Sequence, residues 1–254
     1  MKKPIVIIGI GEMGGVFARG FLRSGYPVFP VTRQMSLEEA AEELADPELV
    51  LLAVTEKDLH DSLAACPSAW RSKLVLLQNE LLPGDWQQHG YTDPTVISVW
   101  FEKKKGQDAK VLIPSPAYGP HAELLKSALG SIDIPVRVLP DEAQLLFELV
   151  RKNVYILTTN IAGLKTGGTV SELWSQQRPL ANEVASEVIQ IQEKLAGRSL
   201  EPEPLIAGMV EAFQGDPDHK CMGRSAPARL KRALQLADDN QLSLPILESL
   251  GSLA

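Results

Sequence analysis

The segment that most restricts how this chain folds is residues 5–14. Ile5-Val6-Ile7-Ile8 is a continuous β-branched run, the pattern of a strand buried on both faces. Gly9-Ile10-Gly11-Glu12-Met13-Gly14 follows without a gap and spells G-x-G-x-x-G. Behind it, Val16, Phe17, Gly20, Phe21 and Leu22 recur at helical spacing, and Gly25 sits where a helix would stop. Strand, glycine turn and helix in this order form the fingerprint of a dinucleotide-binding βαβ unit. The first glycine allows the tight turn, the second lets backbone approach a pyrophosphate, and the third lets helix and strand pack closely. The helix N-terminus then offers unbonded N–H groups and a positive dipole end to phosphates.

Strands and helices keep alternating through the first half. Val28–Val31, residues 49–54, 73–77, 96–100, 111–113 and 136–139 read as strands. Ser36 with Glu39 three residues on is a capping box that opens a short helix to about residue 45. This alternation predicts a Rossmann-type α/β domain over 1–139, with a mainly parallel sheet. The second half changes character. Residues 141–165 carry no proline and repeat leucine at 145, 149 and 157, as one long helix does. Val184, Val188, Ile191 and Leu195 make an apolar stripe, and a last helix spans 227–239. Residues 140–254 are expected to form an all-helical domain.

Composition excludes several alternatives. The 254 residues carry a formal net charge of -7, which argues against a nucleic-acid-binding face. Lys103, Lys104 and Lys105 beside Gly106 read as a solvated turn. Two cysteines, Cys66 and Cys221, cannot staple a chain this long, so free thiols in a reducing, cytoplasmic setting are expected. The four histidines are scattered and show no metal-ligand spacing, so no metal is expected. The apolar start after Met1-Lys2-Lys3 is too short for a signal peptide and is broken by Gly11, Glu12 and Arg19. No apolar run is long enough for a membrane span.

Cofactor choice turns on the end of the second strand. A carboxylate there binds the ribose 2′-hydroxyl of NAD. Here the place holds Thr32 and Arg33, and a guanidinium suits the 2′-phosphate of NADP. An ordinary surface arginine is the alternative. The nicotinamide is expected across the strand ends near Val54 and Thr55.

Over most of its length the chain resembles the 6-phosphogluconate dehydrogenase-like superfamily, and within it ketopantoate reductase (2-dehydropantoate 2-reductase). Three features carry the resemblance: the glycine turn, Arg33 at the end of the second strand, and Gln78-Asn79-Glu80 where that family has Gln-Asn-Gly. The resemblance implies an NADP-dependent oxidoreductase that passes hydride to the carbonyl of a small, acidic substrate, without nucleic-acid or membrane partners. It places Asn79 at the nicotinamide and substrate, and makes Lys152 on the long helix the catalytic lysine. Asn160 matches the second of two family asparagines, while Ile156 stands at the first. Thr159, about 20° round the helix from Lys152, could replace it. The family's glutamate before the last long helix falls near Ser225, with no carboxylate nearby, and Glu80 takes the place of a glycine. Glu80, Thr159, Arg224 and Ser225 are therefore the substrate-binding candidates.

Other readings stay open. Glu148 four residues before Lys152 would make a solvated helix pair without chemistry. His219-Lys220-Cys221-Met222-Gly223-Arg224-Ser225 is either an anion-binding turn or a helix entry with Ser225 as cap and Pro227 in the first turn. Tyr118 and His121 could face the cofactor cleft. The four tryptophans read as packing residues. The rivals for the whole chain are a non-catalytic NADP-binding sensor or scaffold, and a β-hydroxyacid or imine reductase. A homodimer would follow from an apolar stripe left over on the helical half.

Overall fold

The computed structural model describes residues 2–253. Met1 and Ala254, the outer ends of the two expected domains, lie outside the described residues. The chain divides into two compact units, Met1–Glu148 and Leu149–Ala254.

The first unit runs β1 (Ile5–Ile8), α1 (Glu12–Arg23), β2 (Val28–Val31), α2 (Leu37–Glu43), β3 (Leu49–Leu52), α3 (Leu59–Ala64), β4 (Leu74–Leu76), α4 (Pro83–Gln87) and β5 (Thr95–Ile97). It continues with β6 (Phe101–Glu102), β7 (Lys110–Val111), β8 (Ser115–Tyr118), α5 (Ala122–Gly130) and β9 (Val136–Val138). Seven strands form one sheet in the order β2-β1-β3-β4-β5-β8-β9, and β6 and β7 pair in a separate hairpin. Strands β1 to β5 are mutually parallel. Strand β8 joins antiparallel to β5, and β9 lies parallel to β8. The C-terminal ends of β1 to β5 therefore share one edge with the N-terminal ends of β8 and β9.

Every residue of β1 and β3 is buried, with Ile7 opposite Leu51. Such runs have no polar face because helices cover both sides of the sheet. On one face Ile5, Ile7, Leu49, Leu51, Val75 and Ile97 pack against Phe17 and Phe21 of α1 and Leu125 and Leu129 of α5. Leu22 belongs to the expected stripe of α1 but is 57% exposed, so the buried face is narrower than the spacing suggests. The sheet ends in β2, whose Pro30 sits where an edge strand can do without an N–H. At the other end β9 is three residues long and carries the exposed Arg137 in its middle.

The expected strand over 96–100 stops at Ile97, and the one at 111–113 forms instead in the hairpin as Lys110–Val111. Strand β8 is absent from the sequence reading because Pro116 interrupts it. The fold accommodates that proline by using only its carbonyl, which accepts from Ser98 N at 2.9 Å.

Helix α6 (Glu142–Thr166) begins in the first unit and continues into the second. It is followed by α7 (Val170–Gln176), α8 (Arg178–Ala196), α9 (Pro202–Gly215), α10 (Ala226–Asp239) and α11 (Pro245–Ser249). The helix expected over 227–239 is α10, and α11 follows it, so it is not the last. Val184, Val188 and Ile191 of α8 are buried, whereas Leu195 is 38% exposed and ends the stripe. Polar side chains sit inside this unit and tie its helices together. Arg151 donates to Gly208 O and to the Glu211 carboxylate, each at 3.0 Å. Asn153 Nδ2 donates to Gln192 Oε1 at 2.8 Å. The buried Glu187 carboxylate accepts from Ile246 N at 2.9 Å and Leu247 N at 2.8 Å, at the start of α11. Among the described residues no helix is long and apolar enough to cross a membrane.

Candidate functional site

The glycine turn lies at the C-terminal edge of β1, and α1 starts from it. Gly9 has φ +92°, a conformation L side chains rarely adopt. A Cβ on Gly14 would lie 2.2 Å from Gly9 O, so the third glycine is needed for the helix to close on the turn. Around Gly11 the situation is reversed: a Cβ there would meet nothing within 4 Å. Gly11 is also the N-cap of α1, and no side chain caps the helix. An open, exposed backbone in front of uncapped N–H groups fits a dinucleotide pyrophosphate. Glu12 and Met13 complete the turn, and the Glu12 carboxylate lies 3.4 Å from Lys103 Nζ.

The other expected cofactor residues share this edge. Thr32 and Arg33 follow β2, and the Arg33 side chain is 88% exposed, with Nη2 3.7 Å from Asp58 Oδ2. Val54 and Thr55 follow β3. The Thr55 hydroxyl donates to the same Asp58 oxygen at 2.7 Å. Asn79 follows β4, and its Nδ2 donates to Glu56 Oε1 at 2.9 Å. The buried Gln78 joins neighbouring strand ends, since its Nε2 donates to Leu52 O at 2.7 Å and Val54 O at 3.3 Å. Glu80 has φ +61° and is half-buried. That left-handed backbone suits a glycine, so a carboxylate here carries local strain.

The remaining candidates lie in the second unit. Lys152 on α6 is half-buried. The Glu148 carboxylate, four residues before it, is buried and ion-paired with Arg137. The buried Thr159 hydroxyl donates to Tyr155 O of its own helix at 2.8 Å. Asn160 Nδ2 donates to Cys221 O at 3.3 Å, and its Oδ1 accepts from Arg229 Nη1 at 2.9 Å. Arg224 and Ser225 are exposed. Ser225 occupies the N-cap of α10 without a side-chain capping bond, and Pro227 stands in the first turn. Cys221 is fully buried, and burial pushes its thiol up to about 11.

Several side chains behave otherwise than the sequence suggests. Tyr118 and His121 do not face the cofactor edge. Strand β8 runs against β5, so its end at Tyr118 lies at the opposite edge, and His121 senses Glu48 and Lys73 at the starts of β3 and β4. Burial lowers the His121 imidazole below its ordinary value. Lys103 is not a free turn residue: its side chain is 21% exposed and also bonds the carbonyls of Lys104 and Gln107. With Gly11, Glu12, Arg19, Asp108 and Asp133 it borders a cleft of about 530 Å³ beside the glycine turn. Two of the four scattered histidines meet in the fold, where His60 Nδ1 and His89 Nε2 lie 3.1 Å apart. No cluster of three or more His, Cys, Asp or Glu among the described residues could hold a metal ion. Trp70, Trp86 and Trp100 are buried packing residues, and Trp174 stacks edge-on against Phe213. Glu56 and Asp58 are polar groups that spacing alone could not find, because the sheet brings them to Asn79 and Arg33.

No family model and no curated protein matches this sequence. Solved structures do match over nearly the whole chain. The 2-dehydropantoate 2-reductase of Methylococcus capsulatus superposes with a TM-score of 0.70 at 14% identity, covering 98% of this chain and 95% of its own. A dimeric ketopantoate reductase of Staphylococcus aureus gives 0.67 at 16% identity, covering 98% of this chain and 96% of its own. D-mandelate dehydrogenase, solved with NADH and anilino(oxo)acetate, gives 0.68 at 14% identity, covering all of this chain and 97% of its own. The chain thus has the ketopantoate reductase fold, a Rossmann-type α/β region followed by a helical region.

Proposed function

We infer that the chain is an NADP(H)-dependent oxidoreductase that reduces the carbonyl of a small, acidic substrate. The observation that carries this reading is the open backbone at Gly11 in front of the uncapped start of α1. The bound cofactor supplies hydride. Gly9, Gly11, Glu12, Met13 and Gly14 hold the pyrophosphate through backbone, Thr32 and Arg33 the adenosine end, and Val54, Thr55 and Asn79 the nicotinamide end.

Asn79 suits an orienting role because Glu56 already accepts from its amide nitrogen, which fixes the amide plane and leaves Oδ1 with a defined direction. Lys152 is the proton donor to the substrate oxygen. It is half-buried on α6, and its ammonium carries the proton that a reduced carbonyl oxygen takes up. Asn160 acts as a positioning residue, since both ends of its amide are engaged by Cys221 and Arg229. Glu80, Thr159, Arg224 and Ser225 are the candidates for substrate contact. The protein is expected to work in the cytoplasm and to dimerise, which gel filtration checks.

Fluorescence titration with NADPH and NADH, then turnover across a panel of 2-keto acids, tests the reading. Binding and turnover that falls at least a hundredfold in Lys152→Ala support it. No cofactor binding sinks it. Binding without turnover selects the second reading, a non-catalytic NADP-binding sensor or scaffold. That alternative is favoured by Thr159 and Asn160, whose polar atoms are committed inside the helical unit.

A further inference from the structure

At the end of β2 the sequence offers an arginine and no carboxylate, which reads as selection for a 2′-phosphate. The fold supplies the missing carboxylate from another segment. Asp58 comes from the turn behind β3, and its Oδ2 lies 3.7 Å from Arg33 Nη2. It is held there rather than free to swing. The Thr55 hydroxyl donates to Oδ2 at 2.7 Å, and Asp58 N donates to Thr55 O at 3.0 Å across the same 3-10 turn, Glu56–Asp58.

The pair is solvated, with side-chain exposures of 88% for Arg33 and 39% for Asp58. An ion pair of this kind is weak and exchanges readily. A 2′-phosphate can take Arg33 away from Asp58, but it then sits close to a fixed negative charge. A 2′-hydroxyl presents the opposite case, because a carboxylate is its natural acceptor and no charge repels it. Arg33 and Asp58 therefore pull cofactor choice in opposite directions from one spot.

We propose that Asp58 is a specificity-determining residue that offsets Arg33, so that the chain binds both 2′-phosphorylated and unphosphorylated nicotinamide dinucleotides with limited discrimination. This rests on the nicotinamide reading above. The substitution Asp58→Asn isolates the effect, because the amide oxygen still accepts from Thr55 while the charge is gone. Asp58→Ser serves the same purpose if the first variant fails to fold.

The experiment titrates the full-length protein with NADPH and with NADH, in wild type, Asp58→Asn and Arg33→Ala, with melting curves as a fold control. Asp58→Asn is expected to tighten NADPH about fivefold without tightening NADH, as removal of one charge near a phosphate at moderate ionic strength should do. Raising the salt should shrink that shift. Arg33→Ala should move the ratio the other way. An unchanged NADPH to NADH ratio in Asp58→Asn, or equal weakening of both, overturns the proposal and makes Asp58 a turn residue. Wild type that binds neither cofactor overturns the nicotinamide reading itself, and this inference with it.

Discussion

The two units treat polarity in opposite ways. In the first, the central strands β1 and β3 are wholly apolar, and polar groups gather at the edge where the parallel strands end: Arg33, Thr55, Asp58, Asn79 and the bare backbone of Gly11. In the second, polar side chains are turned inward and consumed by structure: Arg151, Asn153, Thr159, Asn160 and Glu187 all have partners within the unit. A binding edge made from backbone and strand ends costs the core nothing, so it can stay open. A helical unit whose cohesion depends on buried amides and carboxylates has little freedom to lend them to a ligand.

Substitutions can break this contrast, and the largest effect should come from Glu187→Ala. It would strand the Ile246 and Leu247 amides in a buried place and destabilise the protein by about 3 kcal/mol in urea unfolding. Asn160→Leu should follow at about 2 kcal/mol, since it removes the buried amide that donates to the Cys221 carbonyl and accepts from Arg229. A variant that unfolds at the wild-type midpoint would release Asn160 for chemistry. Gly11→Val should do the converse. Its side chain enters open space, so the stability cost should stay near the roughly 1 kcal/mol of a poorer N-cap, while NADPH affinity drops tenfold or more. The smallest effect belongs to His121. Burial lowers its pKa, so the unfolded chain binds the proton first as pH falls through 6.5, and stability declines below that point. Melting temperatures between pH 5 and 7.5 should show a shallower slope in His121→Gln than in wild type.

Legibility followed the same divide. Strands β1 and β3 could be read because parallel strands covered on both faces must be continuously apolar, and the glycine turn because its geometry demands glycine at set positions. Strand β8 could not, since Pro116 argues against a strand and only the sheet shows that its carbonyl still takes a bond from Ser98 N. Leu22 misled because spacing marks a helical face but not how much of it a neighbour covers. At the site, Arg33 was visible from its place after the second strand, and Asn79 through the resemblance of Gln78-Asn79-Glu80 to the family motif. Their partners Glu56 and Asp58 were not, because no local pattern ties a turn behind one strand to the end of another. Glu80 is similar: its carboxylate was conspicuous in the sequence, but the positive φ that explains a glycine there is a property of the folded turn.

The outer strands of the seven-stranded sheet have a consequence for how these molecules behave in a crowd. An unpaired edge is a template on which another chain can add a strand. Pro30 removes a donor from one edge, and the other is only three residues long and bears Arg137. Both ends of the sheet thus refuse extension. The fully apolar strands between them, which would be adhesive if exposed, are never the ones a neighbouring molecule meets first.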